Sequence, residues 1–176
     1  ADMIITTGGV SVGKKDIMHE SLRLMGAERI FWRVKMKPGM PTLFSAYKKT
    51  SDITATDNCA SEREIPIISL SGNPFGVAVS IELLIRPALE KMMQDPSIGL
   101  KEVNGIMADN FEKGIKGRRF IRAYLENGKF HLPNGLHSNG VLSSMAGCNC
   151  LIDTKTMENQ ESRSLNAGDK VGAILL

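Results

Sequence analysis

Asp2-Met-Ile-Ile-Thr-Thr-Gly-Gly-Val-Ser-Val-Gly13 decides how the first part of the chain is read. Met3 to Ile5 is a short apolar run of β-favouring residues, as expected of a buried parallel strand. It empties into Gly8, Gly9 and Gly13, and helical periodicity resumes near Asp16. Glycines between a strand and a helix let bare backbone approach a ligand, and the N–H groups that open a helix suit an anion. A plain tight connection has the same composition, so the turn gains meaning only from its neighbours in the chain.

Downstream, Asp16 stands as an N-cap before Ile17, Met18, Leu22 and Met25 at helical spacing, with Gly26 as the stop. Ile30 to Met36 is rich in strand formers. Lys37-Pro-Gly-Met-Pro41 must turn, because two prolines and a glycine break any regular element. Thr42 to Ala46 reads as a short strand, Tyr47 to Glu64 as a polar surface excursion or hairpin, and Ile65 to Leu70 as a second buried strand. Ser71-Gly-Asn-Pro74 is a second strand-to-helix turn, with Pro74 at the favoured first helical position. The helix it opens, Pro74 to about Met93, is apolar on most faces and is expected to be largely buried, with a kink at Pro87. This order predicts an α/β layer with a mainly parallel sheet, and both glycine turns at the carboxyl ends of strands, where open α/β sheets place ligands.

Asp95-Pro-Ser-Ile-Gly99 marks the expected boundary between a first domain, 1–95, and a second, 96–176. Beyond it, Phe120 to Leu125, Lys129 to Leu132, Gly147 to Asp153 and Lys170 to Leu176 are short strand-like runs. Asn127-Gly128, Asn134-Gly135 and Asn139-Gly140 are hairpin signals between them. A small all-β barrel or sandwich is expected here.

Composition narrows the function classes. Hydrophobic residues make up 42% and charged residues 23%, ordinary for a globular protein. A formal charge of +3 is too small to argue for nucleic acid, and the basic residues are scattered apart from Lys35/Lys37 and Lys116/Arg118/Arg119. The three cysteines, Cys59, Cys148 and Cys150, form no CxxC pair, which fits a reducing cytosol. No apolar stretch reaches the roughly 18 to 20 residues that span a bilayer. The expectation is a cytoplasmic protein, bound neither to membrane nor to nucleic acid.

Several residues could carry chemistry. Ser11 offers a hydroxyl to a ligand oxygen. Asp16 is either a helix cap or a ligand contact. Arg33, Lys35 and Lys37 alternate, so a single strand would aim all three at one face. Such a face is either solvated or suited to oxyanions. Asn73 reads as a bridge within its turn. His19, His131 and His137 show no metal spacing, and the methionines are core filler.

The first turn, Phe31-Trp-Arg-Val-Lys-Met-Lys-Pro-Gly-Met-Pro41, Ser69-Leu-Ser-Gly-Asn-Pro-Phe75 and Arg86-Pro-Ala-Leu89, in this order and spacing, resemble the molybdopterin molybdenumtransferase family, the MoeA type that includes gephyrin. The resemblance runs over essentially the whole chain. Members are about twice this long or more, so the chain looks like a C-terminal part that begins within their third domain. The implied fold is part of a three-layer α/β domain followed by a small β-barrel.

The implied activity is insertion of molybdate into adenylylated molybdopterin with Mg²⁺-dependent release of AMP. A gephyrin-like scaffold and a pterin-binding sensor are the alternatives. Carried over by motif, Asp16, Lys37 and Arg33 are the candidate catalytic residues, with Asp16 also the candidate Mg²⁺ ligand. Gly8, Gly9, Ser11, Gly13, Gly72, Asn73, Pro74, Arg118 and Arg122 are the candidate cofactor contacts, and Ser143-Ser144 and Asn149 also match. A homodimer and protein partners in cofactor biosynthesis are implied as well. The chain departs from the family pattern at Lys14, Met40, Ser71 and Gly76. One residue is missing between Arg118 and Arg122, which leaves open which arginine faces the site.

Overall fold

The structure, a computed structural model, describes residues 1–50, 62–112, 117–134, 142–154 and 164–176. The expectations for Cys59, Lys116, His137, the glycine of Asn134-Gly135 and the Asn139-Gly140 turn lie outside these residues. Two compact units emerge: Ala1–Val34 with Pro41–Gly72, and Lys35–Met40 with Asn73–Leu176. The chain opens with β1 (Ile4–Thr7), α1 (Met18–Leu24), β2 (Glu28–Trp32), β3 (Met36–Lys37), β4 (Leu43–Thr50) and β5 (Glu62–Leu70), all but β3 in the first unit.

The first unit is built on a four-stranded sheet of order β1-β5-β4-β2. β1 and β5 are parallel, from Ile4 opposite Ile67 to Thr7 opposite Leu70. The pairs β4–β5 and β2–β4 are antiparallel, so the expected mainly parallel sheet is corrected to a mixed one. Parallel neighbours need a crossover, and no described helix lies between β2, β4 and β5, so each strand doubles back on the one before it. Val10, Leu22, Leu43 and Ile67 form the buried core, with Met18 and Trp32 packed against it.

One further expectation changes, and another, the hairpin reading of the polar excursion, holds at its ends. The run Ile30 to Met36 is not one strand: Arg33 takes a left-handed φ of 74°, which ends β2, and Met36 and Lys37 pair in the other unit. The ends of the polar excursion are regular strand, with Lys48 opposite Glu64 and Lys49 opposite Arg63. Their side chains form no buried face, so this stretch of ribbon has nothing to generate a hydrophobic period.

The second unit begins with α2 (Pro74–Ser80), a π-helical turn over Ile81–Ile85 and α3 (Arg86–Met93). Asn73 caps α2 by accepting from the Gly76 N–H at 3.0 Å, and Pro74 stands at the helix start as expected. The disturbance expected at Pro87 takes the form of the π turn. Arg86 N–H bonds to the Ile81 carbonyl five residues back, so the ladder changes register just before a residue with no N–H to give. The first half buries Phe75, Val79 and Ile85, whereas α3 buries nothing and leaves Met93 61% exposed. Burial of most of the helix was the expectation, and only the first half follows it.

β6 (Lys101–Met107), β7 (Arg118–Glu126), β8 (Lys129–His131), β9 (Cys150–Asp153) and β10 (Lys170–Leu175) close a ring in the order β7-β8-β6-β10-β9 and back to β7. This is the expected barrel. Asn127 and Gly128, at φ 49° and 76°, make the tight β7–β8 turn that the Asn-Gly pair predicts. Ile121, Ala123, Phe130 and Ile152 are among the side chains that fill the barrel core. β3 pairs with β7 in parallel, Met36 opposite Arg118 and Lys37 opposite Arg119. Among the described residues no helix is long and apolar enough to cross a membrane.

Candidate functional site

In the first unit the two glycine turns lie side by side. Because β1 and β5 run parallel in register, their carboxyl ends coincide, and Gly8 N–H donates to the Leu70 carbonyl at 2.9 Å. A Cβ on Gly72 would come within 3.3 Å of the Gly8 Cα, while Gly8 itself needs a φ of +85°. At the same strand ends the hydroxyl oxygens of Thr6, Ser69 and Ser71 are buried without a hydrogen-bond partner. Buried polar atoms are normally satisfied, so a polar occupant suits this end of the sheet. Ser71 was marked in the sequence only as a departure from the family, and its buried hydroxyl belongs to this group.

Asp16 does not cap the helix. The N-cap residue of α1 is Ile17, which makes no side-chain cap bond. The Asp16 carboxylate instead accepts from the Gly13 N–H at 2.6 Å, while its own N–H donates to the Gly13 carbonyl at 2.9 Å. The first N–H of α1, on Met18, is taken by the Gly9 carbonyl at 3.0 Å. The first N–H of this helix is therefore not free for the anion expected at its opening. Ser11 and the backbone around it are exposed.

Mg²⁺ usually takes one or two carboxylates together with waters and substrate phosphates. The described residues hold no cluster of three or more His, Cys, Asp or Glu that could bind a metal, and the turn supplies only Asp16, already engaged with Gly13. Among the described residues of this turn, Asp16 is the carboxylate available to Mg²⁺.

The basic candidates separate. Arg33 belongs to the first unit, and its guanidinium lies over the Trp32 ring at 4.2 Å. Lys35 and Lys37 belong to the second and are exposed, so the three cations do not share one strand face. Lys37 precedes a cis peptide bond to Pro38, and Gly39 packs so closely that a Cβ would lie 2.7 Å from the Ser80 Oγ. The opposing strand β7 carries three arginines in three settings. Arg118 pairs with Asp153 at 2.7 Å and lies over Phe120. Arg119, opposite Lys37, is half-buried, and desolvation lowers its pKa. Arg122 is 1% exposed, its guanidinium 4.3 Å above the Phe75 ring, and burial lowers its pKa too. That enclosure joins β7 to α2.

Other candidates prove structural or solitary. Asn149 accepts from the Leu125 N–H at 2.8 Å and donates back to its carbonyl. Ser143 borders an open depression of about 460 Å³ with Tyr124 and Pro133. Burial raises the pKa of the Cys148 thiol and pushes that of Cys150 up to about 12, so neither is an activated nucleophile. Sequence reasoning missed Trp32 and underrated His19. Both reach the Val10 carbonyl in the first glycine turn, Trp32 at 2.9 Å and His19 at 3.3 Å. A tryptophan at a strand end reads as core, and nothing in its neighbours signals a bond to a turn some twenty residues earlier.

Comparison with known proteins matches the chain to two family models. Residues 1–91 match the family model described as "Probable molybdopterin binding domain", and residues 104–176 match "MoeA C-terminal region (domain IV)". The chain is 30% identical to a protein named molybdopterin molybdenumtransferase from Staphylococcus aureus, over 99% of this chain and 38% of that protein. A protein of the same name from Staphylococcus epidermidis is 28% identical over the same shares. The chain thus spans under half the length of these relatives. Among solved structures, the molybdopterin biosynthesis moea protein from Pyrococcus horikosii aligns with a TM-score of 0.71 at 17% identity, over 99% of this chain and 37% of that one. A molybdenum cofactor biosynthesis protein from Pyrococcus furiosus gives 0.63 at 17%, over 100% and 49%. At that identity they speak to the fold alone. With a family model covering more than half its residues and the MoeA C-terminal region matching beyond it, the chain belongs to the molybdopterin-binding domain family of the MoeA type.

Proposed function

We propose that the chain is the C-terminal portion of a molybdopterin molybdenumtransferase, whose full-length form inserts molybdate into adenylylated molybdopterin and releases AMP. The observation that carries this reading is the contact between the two glycine turns at the joined carboxyl ends of β1 and β5. In this reading backbone N–H groups of the turns other than that of Gly8 hold phosphate, and the buried hydroxyls of Thr6, Ser69 and Ser71 supply polar contacts. Asp16 closes the turn around Gly13. Lys37 is the cation best placed for an oxyanion, being exposed on a backbone fixed by β7, with Arg119 opposite. Neither Cys148 nor Cys150 is an activated nucleophile, and in this reading catalysis rests on positioning and electrostatics. Mg²⁺, implied by the resemblance, finds only the Asp16 carboxylate among these residues.

The division at residues 95 and 96, completion of the α/β layer by upstream segments, a homodimer, protein partners in cofactor biosynthesis and a cytoplasmic location belong to the same proposal. Family likeness and composition support them. The test is amide NMR of the full-length protein titrated with AMP. Gly8, Gly9 and Gly72 should shift together along one saturation curve. Movement of one turn only, or of neither, would remove the shared site.

A further inference from the structure

The Val10 carbonyl sits in the middle of the first glycine turn, in a residue only 1% exposed. Two side chains from different elements converge on it. The Trp32 indole N–H, at the end of β2, donates at 2.9 Å, and His19 Nε2, on α1, lies 3.3 Å away. Facing a carbonyl, Nε2 carries the hydrogen. The two rings meet edge to face with centroids 4.8 Å apart, and the Arg33 guanidinium lies over the indole. A carbonyl oxygen has two lone pairs, and here each has a donor. The preceding carbonyl, of Gly9, is held as well, by the Met18 N–H.

A trans peptide group is planar, so its C=O and the next N–H point in opposite directions. Holding the Val10 carbonyl in the core therefore turns the Ser11 N–H outward. Ser11 is exposed, and among the described residues its N–H donates to no protein acceptor. We propose that Trp32 and His19 are positioning residues that lock the Val10–Ser11 peptide so that the Ser11 N–H faces out as a donor to a bound oxyanion, of the phosphate class. This rests on the reading of the glycine turn as an anion site. Were the peptide to flip, the turn would present a carbonyl oxygen to the same anion, and attraction would become repulsion. The clamp acts on a backbone dipole that neither side chain touches from the ligand side.

The experiment compares Trp32→Phe, His19→Leu and His19→Gln in the full-length protein, with AMP as the probe and amide NMR as the second readout. Trp32→Phe keeps an aromatic ring and removes the N–H. It should weaken AMP binding about fivefold, the worth of one hydrogen bond, and move the Ser11 amide resonance in the free protein. His19→Leu should weaken binding by a smaller factor, and His19→Gln, which restores a donor, should recover it. A purely structural role would lower the thermal midpoint of all three while AMP affinity, measured well below that midpoint, stayed level. If wild type shifts at Gly8 and Gly72 but the variants bind AMP as tightly with Ser11 unmoved, the clamp is overturned and the anion site stands. If wild type shows no shift at either turn, the site reading falls and takes the clamp with it. Should Trp32→Phe fail to fold, the His19 pair decides alone, since loss in Leu with recovery in Gln supports the clamp and equal affinity overturns it.

Discussion

Lys37 is held by its backbone before its side chain is considered: β3 pairs it with β7, and buried Pro38 and Gly39 come directly after it. An ammonium on so fixed a base loses little entropy on meeting an anion. In the full-length protein Lys37→Ala should lower molybdate insertion more than tenfold at limiting molybdate, about 1.4 kcal/mol, well within one charge-assisted contact. Lys49→Ala should change it little, because Lys49 is exposed on the β4 ribbon, where water and salt screen it. Equal rates for Lys37→Ala and wild type would remove Lys37 from the site. Residue by residue, the sequence exposed the glycines and Asn73, because dihedral needs and capping are local matters. It misplaced Asp16, whose carboxylate found a nearer donor in Gly13 than any helix N–H. It could not show that Arg33 would turn onto Trp32, since nothing in the residue types announces a left-handed backbone at an arginine.

At the scale of elements, the helix running from Pro74 to Met93 changes character at its π turn. Glu82, nearly buried there, is bracketed by Arg86 at 2.5 and 3.1 Å, and the same arginine reaches toward the Ile98 carbonyl. Arg86→Ala should destabilise the chain by roughly 2 kcal/mol, because a carboxylate with 12% exposure is left without its counter-charge. Arg86→Lys should lie in between, having charge but no fork. The midpoint of urea unfolding at constant slope measures both, and no shift in Arg86→Ala would mean that Glu82 re-solvates. Elements that were legible share a feature: β5, α1 and the barrel strands each have a buried face that writes a period into the sequence, whereas β1, expected to be buried, alternates half-buried Ile4 and Thr6 with exposed Ile5 and Thr7. The ribbon ends of β4 and β5 have none, and the break between β2 and β3 depends on a partner strand some eighty residues later, beyond any local window.

For the whole molecule, the barrel unit takes in more than its own contiguous strands. β7 is buried on both sides from Phe120 to Ala123: Ile121 and Ala123 join the barrel core, and Arg122 rests on Phe75 of α2. A fragment starting at residue 96 therefore loses Phe75, a side chain 3% exposed, along with the rest of α2. Large-to-small loss of a buried Phe costs about 3 kcal/mol, so the thermal midpoint should fall by more than about 10 °C relative to a fragment starting at residue 73. Equal midpoints would show that the closed ring carries this unit by itself.

The ring also imposes an order in time. β10 lies between β6 and β9, yet of the five strands it is synthesised last, and Lys101 must wait for Leu175 before it has a partner. Until then a nascent chain presents two unpaired strand edges at once, those of β6 and β9, each a template for a neighbouring chain on the same message. The strands of the first unit pair with one another as soon as β5 emerges, with β1 and β2 as the edges of that sheet. Quality control during synthesis thus falls on the closing strand: a ribosome that stalls or stops before Lys170 leaves the ring an open, adhesive ribbon.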